Sequence, residues 1–348
     1  MLIKFPFLAI IKEQGGNIMS DLKTNYMGLE LKNPFVIGSS GLTSNLDDLK
    51  KCEDNNASAV VLKSLFQEQF IKKSQEIEGY LNYSHYEEVY DYIRNTTDNF
   101  GQQNYLKLIE NAKKKLDIPV IASINCTSTK GWLKYAEHIE EAGADGLELN
   151  ISFLPTDVEI DSNFVESKYI EILKKVKNKI DLPIALKIGP YFTAFKNFAD
   201  KLSVRGADAL VLFNRFYQFD IDIENLSLKA GNHLSSSDDL STSLRWIALL
   251  SAEIENDFAA TTGVHHGPDA VKQLLAGAKV VQLCSTIYKN GFEQINSIKN
   301  FLESWMDRHG YKSINQFRGL LNQSESEYPQ EYERMQYIEA LTKEKNIK

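Results

Sequence analysis

The sequence is poor in cysteine and carries no excess of positive charge. Its 348 residues include three cysteines, Cys52, Cys126 and Cys284, and no two of them form a CxxC pair. This excludes a disulfide framework, a zinc finger and an iron–sulfur cluster bound by this chain alone, and it predicts a reducing, cytoplasmic location. The formal net charge of -8 argues against a nucleic-acid-binding surface.

Long hydrophobic runs are also missing. The apolar stretch at residues 5–11 is interrupted by Pro6 and ends before Lys12, whereas a bilayer-spanning helix needs roughly 20 apolar residues. We therefore expect no membrane association. Organised sequence begins near Met19, so we expect residues 1–18 to be a disordered or non-native extension and residues 19–348 to form a single domain. Met19 is the expected true start.

Short apolar, β-branched runs alternate with helical segments from residue 35 onward. Continuous apolar runs are typical of strands covered on both faces, as in a parallel sheet. The eight predicted strands are 35–41, 58–64, 119–125, 146–152, 183–189, 207–215, 257–263 and 279–285. Apolar residues at three- and four-residue spacing predict helices over 104–116, 132–142, 164–180, 195–204, 243–254, 268–276 and 294–307.

The repeated alternation predicts an α/β fold, and more specifically a TIM (β/α)8 barrel. Three phrases, EAGADGLEL, VRGADALVL and LAGAKVVQL, each place Gly-Ala between a helix and the next strand, as expected of one repeated unit. The alternative is a doubly wound open sheet, which predicts a GxGxxG fingerprint after the first strand. The first strand here ends in SSGLTSN, so that fingerprint is absent.

Three regions fall outside the regular pattern. Residues 22–33 alternate around Met27-Gly28 and predict an N-terminal hairpin that closes the barrel floor. Extended loops follow strand two, at 66–103, and strand six, at 216–240; both are candidate lids because loops after strands lie on the catalytic face of a barrel. One or two polar helices are predicted beyond Ile314, packed on the outside.

Polar residues collect where the predicted strands end, and this is the face on which barrels place their active sites. Small residues after strands seven and eight favour a phosphate site built from backbone N–H groups. Lysine and asparagine side chains suit a planar ring with one edge that can hold negative charge, such as a reduced flavin. No His/Asp/Glu cluster has metal-ligand spacing, so no metal is expected. The residues at these ends are Ser39, Ser40, Gly41, Lys63, Ser64, Asn125, Cys126, Asn150, Ser152, Lys187, Asn214, Thr262, Gly263, Cys284 and Ser285.

Each of these residues also has a purely structural interpretation. The lysines could form buried ion pairs, since an unpaired buried lysine is costly. The asparagines could satisfy loop backbone, and the small residues could only permit tight packing. Cys126 and Cys284 fit small buried residues better than nucleophiles. His265 and His266, just past strand seven, fit a helix start or a solvent-facing position.

Several segments, in this order, resemble the dihydroorotate dehydrogenases, a family of flavin-dependent barrels of pyrimidine metabolism. The resemblance runs from Leu22 to about Leu321 and is carried by LKNPFVIGSSG, AVVLKSL, GADGLELNIS, IALKIGPYF and TTGVHHGPDAVKQLLAGAKVVQLCSTIYKNG. The stretch IASINCTSTKGWLKYAEHIEEAGADGLELNIS is also similar to the flavin barrel of dihydropyrimidine dehydrogenase. The resemblance implies an FMN-dependent oxidoreductase acting on a CH–CH bond of a small-molecule substrate.

The resemblance also implies roles for the residues at the strand ends. A base would take a proton from one substrate carbon while a hydride moves from the adjacent carbon to the flavin. Lys187 would stabilise the anionic reduced ring, and Lys63, Asn150 and Asn214 would bind the substrate. The FMN site as a whole would comprise Ser40, Gly41, Lys63, Ser64, Asn125, Asn150, Lys187, Gly263, Cys284 and Ser285. A homodimer and a separate electron-transfer partner or soluble acceptor are also implied.

The sequence departs from the family at the base. The family continues after ELN with Ser-Cys-Pro-Asn or Ser-Ser-Pro-Asn, whose second residue removes the proton, whereas this chain has Ser152, Phe153, Leu154 and Pro155. Phenylalanine cannot accept a proton, so the catalytic base is not identified. Cys126 and Ser152 are the candidates nearest in sequence, and the pair His265-His266 is a third.

Three hypotheses about function follow from this departure. The first is oxidation of dihydroorotate or a related dihydropyrimidine. The second is an FMN barrel that acts on a different unsaturated substrate. The third is a flavin-binding subunit without catalytic activity.

Overall fold

The structure is a computed structural model that describes residues 20–66, 87–126, 128–215, 219–231, 234–325 and 329–332. The extension predicted at residues 1–18 lies outside these ranges. The strands are β1 (Thr24–Tyr26), β2 (Leu29–Leu31), β3 (Phe35–Ile37), β4 (Ala59–Val61), β5 (Leu65–Phe66), β6 (Val120–Asn125), β7 (Gly146–Asn150), β8 (Ile184–Ile188), β9 (Ala209–Leu212), β10 (Phe219–Asp222), β11 (Ser227–Ala230), β12 (Asp257–Thr261) and β13 (Val280–Leu283).

The helices alternate with these strands along the chain. They are α1 (Leu46–Asp54), α2 (Glu87–Lys115), α3 (Thr129–Glu141), α4 (Ser162–Lys177), α5 (Phe195–Val204), α6 (Leu240–Leu250), α7 (Gly267–Ala276), α8 (Ser285–Asn290) and α9 (Gln294–His309).

Eight parallel strands close into a barrel, which confirms the predicted TIM fold. The order is β3, β4, β6, β7, β8, β9, β12 and β13, and β13 pairs again with β3. All eight predicted strands are present, and β5 adds a short pairing with the end of β6. The strands are buried on both faces, which explains why their sequences are continuously apolar.

The helix predictions are confirmed, with two corrections. α1 was missed because this polar segment buries only Leu49 and Cys52; its start is marked by Asn45, whose side chain accepts a hydrogen bond from the Asp48 N–H at 2.9 Å. α2 begins at Glu87, so the predicted loop 66–103 is helical in its second part. Gly101 and the Thr96-Thr97 pair are poor helix formers, and they obscured the helical pattern before Asn104.

The N-terminal hairpin closes the barrel floor, as predicted. β1 and β2 pair antiparallel across a turn in which Met27 and Gly28 have φ of 54° and 78°. The Met27 N–H donates to Asp257 Oδ2 at 2.8 Å. Tyr26, Met27 and Leu31 pack against inward-facing residues of the barrel, namely Val36, Ala59, Val61, Ile121, Ala185, Ala209, Val211, Ala259 and Val280.

The C-terminal tail packs against the same end of the barrel. Ile314 and Phe317 are fully buried, and Arg318 Nη2 donates to Thr24 Oγ1 at 2.7 Å. The described part of the tail forms short 3-10 helices at Ile314–Gln316, Gln323–Glu325 and Pro329–Tyr332. Residues 333–348 lie outside the described residues, so the polar tail helices stay a prediction.

The loops predicted to act as lids are only partly described. Residues 67–86 lie outside the described ranges. After strand six, β10 and β11 form a separate two-stranded antiparallel hairpin within the predicted 216–240 loop. The lid function of both loops stays a prediction.

Tyr26 provides a test of the packing at the barrel floor. Its hydroxyl is buried without a hydrogen-bond partner among the described residues. Burial, followed by the charges of Glu148 and Asp257, raises the pKa of Tyr26 well above its ordinary value. A buried hydroxyl without a partner costs about 1–3 kcal/mol, so we expect Tyr26→Phe to raise the free energy of unfolding by about 1 kcal/mol in urea denaturation.

Tyr105→Phe is the matched control for this change. The Tyr105 hydroxyl donates to the Ser123 carbonyl at 3.0 Å and accepts from the Ser123 N–H at 2.8 Å. Removing it should lower the free energy of unfolding by about 1–3 kcal/mol. An equal decrease in the free energy of unfolding in the two variants would contradict the conclusion that the Tyr26 hydroxyl has no hydrogen-bond partner.

Candidate flavin and substrate site

A chain of hydrogen-bonded polar side chains crosses the C-terminal mouth of the barrel. Asn214 Nδ2 donates to Asn150 Oδ1 at 2.8 Å, and Asn150 Nδ2 donates to Ser64 Oγ at 3.2 Å. Ser64 Oγ in turn lies 3.1 Å from Ser39 Oγ and 2.7 Å from Ser123 Oγ. Three of the residues predicted from strand ends, Ser64, Asn150 and Asn214, are thus joined directly.

A buried charge pair lies beside these hydrogen-bonded side chains. The register of β7 and β8 places Lys187 opposite Asn150. Lys187 is buried, and its Nζ lies 3.9 Å from Oε1 of Glu148, which is 1% exposed. Gln282 Nε2 donates to the other carboxylate oxygen of Glu148 at 3.0 Å. The positive charge of Lys187 therefore compensates a carboxylate that has no access to water.

Two buried acceptor atoms near this pair have no hydrogen-bond partner among the described residues. They are Glu148 Oε1 and Gln282 Oε1. Buried polar atoms are nearly always hydrogen-bonded in folded proteins, and exceptions concentrate at functional sites or at buried water. Both acceptors therefore retain hydrogen-bonding capacity that the described residues do not use.

A cavity of about 170 Å³ opens above the charge pair, and a second of about 280 Å³ adjoins it. Both are lined by Phe213, Asn214, Arg215, Thr261 and Thr262. The smaller cavity also contacts residues from opposite sides of the barrel mouth: Gly38, Ser39, Lys187, Ser235, Gly263, Val264, Gln282, Cys284 and Ser285. Four predicted cofactor residues, Lys187, Gly263, Cys284 and Ser285, therefore share one cavity.

The backbone after β12 leaves no room for larger side chains. Gly263 has a φ of +84°, and a Cβ atom there would lie 2.3 Å from the Leu240 nitrogen. Thr262, at a position where the family has glycine, also has a positive φ of 73°, and its hydroxyl donates to the Phe213 carbonyl at 3.1 Å. The atoms that approach Gly263 here belong to the backbone of Asp239 and Leu240, so glycine is required at this position by the packing of α6 against the end of β12.

Ser40 and Gly41 follow β3, and Cys284 follows β13, the strand that lies between β3 and β12. Ser40 caps a short 3-10 helix at Gly41–Thr43, and a Cβ on Gly41 would lie 2.6 Å from the Tyr288 hydroxyl. Burial raises the pKa of the Cys284 thiol, although a hydrogen bond with Ser40 and the charge of Lys187 act in the opposite direction. The thiol is therefore neutral near pH 7, which fits a packing role better than a nucleophilic one.

The remaining predicted residues lie away from this cavity. Lys63 follows β4 and is exposed, so the alternative of a buried ion pair does not hold for it. It does not line the cavity of about 170 Å³. Asn125 and Cys126 are buried at the end of β6. Neither of them nor Ser152 lines the cavity of about 170 Å³.

The loop after β7 is held outside the polar mouth. Phe153 is 37% exposed, and its N–H donates to the Tyr169 hydroxyl at 3.4 Å. Tyr169 in turn donates to the Ile151 carbonyl at 3.3 Å. Phe153 lines a separate cavity of about 180 Å³ together with Tyr191 and Phe192.

Sequence reasoning missed several residues of the site. Glu148 and Gln282 are polar residues within otherwise apolar strands, GLELN and VVQL, and that pattern could have identified them. Arg215 and Ser235 lie in loops after strand six, where neither spacing nor composition distinguishes them. Arg215 Nη2 lies 3.9 Å from Asp239 Oδ2.

Two further features, a metal site and a membrane-spanning helix, are absent from the described part of the chain. There, no group of three or more His, Cys, Asp or Glu residues is arranged to hold a metal ion. Over the same residues, no helix is long and apolar enough to cross a bilayer.

Comparisons with known proteins agree with the geometry. Residues 21–306 match the sequence profile of the dihydroorotate dehydrogenase family. The chain is 27% identical over 317 residues to the catalytic subunit of dihydroorotate dehydrogenase B (NAD(+)) from Thermoplasma volcanium, covering 87% of this chain and 99% of that protein. It is 28% identical over 307 residues to the corresponding subunit from Pyrococcus abyssi, covering 86% of this chain and 98% of that protein. The chain therefore belongs to the dihydroorotate dehydrogenase family of flavin-dependent oxidoreductases.

Proposed function

We propose that this protein binds FMN at the mouth of the barrel and uses it to oxidise or reduce a C–C bond of a small, planar, polar ring. The observation that carries this proposal is the meeting of Lys187, Asn214, Gly263 and Ser285 in one cavity. These four residues lie on or directly after β8, β9, β12 and β13, which are neighbouring parallel strands whose carboxyl ends meet at one face of the barrel.

The residues present fit FMN in three respects. Gly263 and Ser285 line one cavity after β12 and β13, where a backbone N–H and a hydroxyl would bind a phosphate group. Lys187 supplies a buried positive charge for an anionic ring edge. The hydrogen-bonded asparagines Asn150 and Asn214 offer amide groups to a polar ring.

Bound FMN would supply hydride-transfer chemistry, and this chain supplies binding, orientation and charge. Lys187 would hold negative charge at the flavin edge, while Glu148 keeps the ammonium in place from below. Asn214 and Asn150 would orient the substrate ring, with Lys63 at the rim. Ser40, Gly41, Ser64 and Asn125 complete the FMN and substrate site that we propose, and Cys284 and Ser285 flank the phosphate.

The proposal leaves two alternatives for the substrate. The first is dihydroorotate or a related dihydropyrimidine. The second is a different unsaturated compound, and Phe153 is the observation that favours it. Phe153 has no atom that accepts a proton, Ser152 is exposed, and Cys126 is buried at the end of another strand. A positioned base contributes roughly 10²–10⁴-fold to a reaction rate, so the acid–base half of the usual chemistry must differ here.

The cofactor proposal is tested by flavin retention. Purified protein should be yellow and carry FMN, and Lys187→Met should weaken FMN binding roughly 10- to 100-fold because a buried charge-assisted contact is lost. Lys279→Met is the control, since Lys279 pairs with Asp257 at the opposite end of the barrel. FMN titrations followed by fluorescence measure both. Colourless protein that does not bind added FMN would overturn the proposal.

The missing base is tested by restoring it. Phe153→Cys should speed anaerobic flavin reduction by dihydroorotate by at least about 10²-fold, because a thiol can accept the proton that phenylalanine cannot. Phe153→Ala makes the same space without a base and is the control. Equal rates for the two variants would favour the altered substrate, to be sought with a panel of dihydropyrimidines and enones. Bound FMN without turnover on any of them would favour a non-catalytic subunit.

We also propose a homodimer and a separate electron-transfer partner. The relatives named above are catalytic subunits, and such a name implies another subunit in those proteins.

A homodimer is supported by the hairpin of β10 and β11, whose register pairs Ile221 with Leu228 and Phe219 with Ala230 on one face. Phe219, Ile221 and Leu228 are 63%, 55% and 75% exposed. The cysteines form no disulfide, which supports a cytoplasmic location.

The dimer proposal is tested on the two faces of this hairpin. Leu228→Lys places a charge on the apolar face and should yield monomers in sedimentation experiments, because a buried unpaired charge opposes association. Ser227→Lys places the same charge on the other face and should leave the dimer intact. Monomeric unchanged protein at micromolar concentration, or a dimeric Leu228→Lys variant, would refute the role of this face.

A further inference from the structure

Ser235 makes hydrogen bonds with the polar groups around Gly263. The hydroxyl oxygen of Ser235 accepts from the Gly263 N–H at 3.4 Å and lies 3.1 Å from His265 Nε2. The Ser235 N–H donates to Ser285 Oγ at 3.0 Å, and Lys289 Nζ donates to the Ser235 carbonyl at 2.7 Å. Ser235 is buried and lines the same cavity as Gly263 and Ser285.

Hydrogen bonds to the backbone of His265 hold this residue in place beside Ser235. The His265 N–H donates to Asp269 Oδ2 at 3.1 Å. Its carbonyl oxygen accepts from Thr286 Oγ1 at 3.0 Å and from Gln294 Nε2 at 2.8 Å. Three elements therefore hold a buried histidine with one ring nitrogen directed at Ser235.

The charges around this point favour an anion. Lys289 reaches Ser235 from α8, and Asp269 is the carboxylate that faces His265 from α7. The Asp269 carboxylate accepts hydrogen bonds from the backbone N–H groups of both His265 and His266, and the His265 Nε2 atom contacts Ser235.

We propose that His265 Nε2 and the Gly263 N–H bind one oxygen of the flavin phosphate at the position that the Ser235 hydroxyl oxygen occupies here. This inference rests on the proposed binding of FMN. Phosphate is a charged acceptor and makes stronger hydrogen bonds than a serine hydroxyl, so it would displace Ser235 from both groups. His265 is then the side chain that distinguishes FMN from riboflavin, and Ser235 is an internal competitor for the phosphate position.

Two variants with opposite expected effects test the proposal. Protein stripped of flavin is titrated with FMN and, separately, with riboflavin. His265→Phe should weaken FMN binding about 10-fold, because a hydrogen bond to a charged acceptor is lost, and it should leave riboflavin binding within about twofold. Ser235→Ala should tighten FMN binding about two- to fivefold, because the competing hydroxyl is gone. His266→Phe, at the exposed neighbouring imidazole, is the matched control and should change neither.

Each of the other results overturns a stated part of the inference. Equal loss of FMN and riboflavin binding in His265→Phe would show that this histidine supports the fold only. Weaker FMN binding in Ser235→Ala would show that the serine is itself a ligand and is not displaced. Unchanged protein that binds riboflavin as tightly as FMN has no phosphate site here, which overturns the inference but not flavin binding. Unchanged protein that binds neither flavin overturns the proposed function together with the inference.

Discussion

The buried pair of Glu148 and Lys187 is the interaction on which the candidate site depends. A carboxylate that is 1% exposed cannot be solvated by water, so it requires a cation and hydrogen-bond donors from the protein. Lys187 supplies the cation at 3.9 Å from one carboxylate oxygen, and Gln282 donates a hydrogen bond to the other. The same requirement fixes the lysine ammonium below the cavity, where it can act on an anionic ligand at no further cost in side-chain ordering.

The fold could be predicted from the sequence because strands buried on both faces are continuously apolar and helices packed on one face are periodic. That argument fails for elements that bury few apolar residues. α1 buries only Leu49 and Cys52, so its periodic signal is weak, and α2 was placed too late because Gly101 and two threonines hide its first turns. The hairpin at the barrel floor was recognised because Met27-Gly28 forms a two-residue turn between alternating residues, which is a local signal.

The residues of the candidate site fall into two similar groups: those at strand ends could be predicted from the sequence, and those on loops could not. Asn150, Lys187 and Gly263 could be identified because the C-terminal ends of parallel strands meet at one face, whatever the surrounding loops do. Lys63 shows the limit of this reasoning, since position at a strand end does not fix the direction of the side chain, and here it points into solvent. Ser235 lies 28 residues from Gly263 along the chain, and no sequence pattern links the two residues that the fold brings into contact.

This division also explains how the proposed cofactor site can be kept while the residue at the proposed base position changes. The groups proposed to hold the flavin are backbone atoms and side chains on strands whose positions the barrel hydrogen bonds determine. The position proposed for the base lies on the loop after β7, which is tied to the barrel by the hydroxyl of Tyr169. Substitutions such as Phe153 can therefore change the proton-transfer half of the site without disturbing Lys187 or Gly263. The proposal of an altered substrate therefore concerns only this loop, and the proposal of a flavin site at Lys187 and Gly263 does not depend on it.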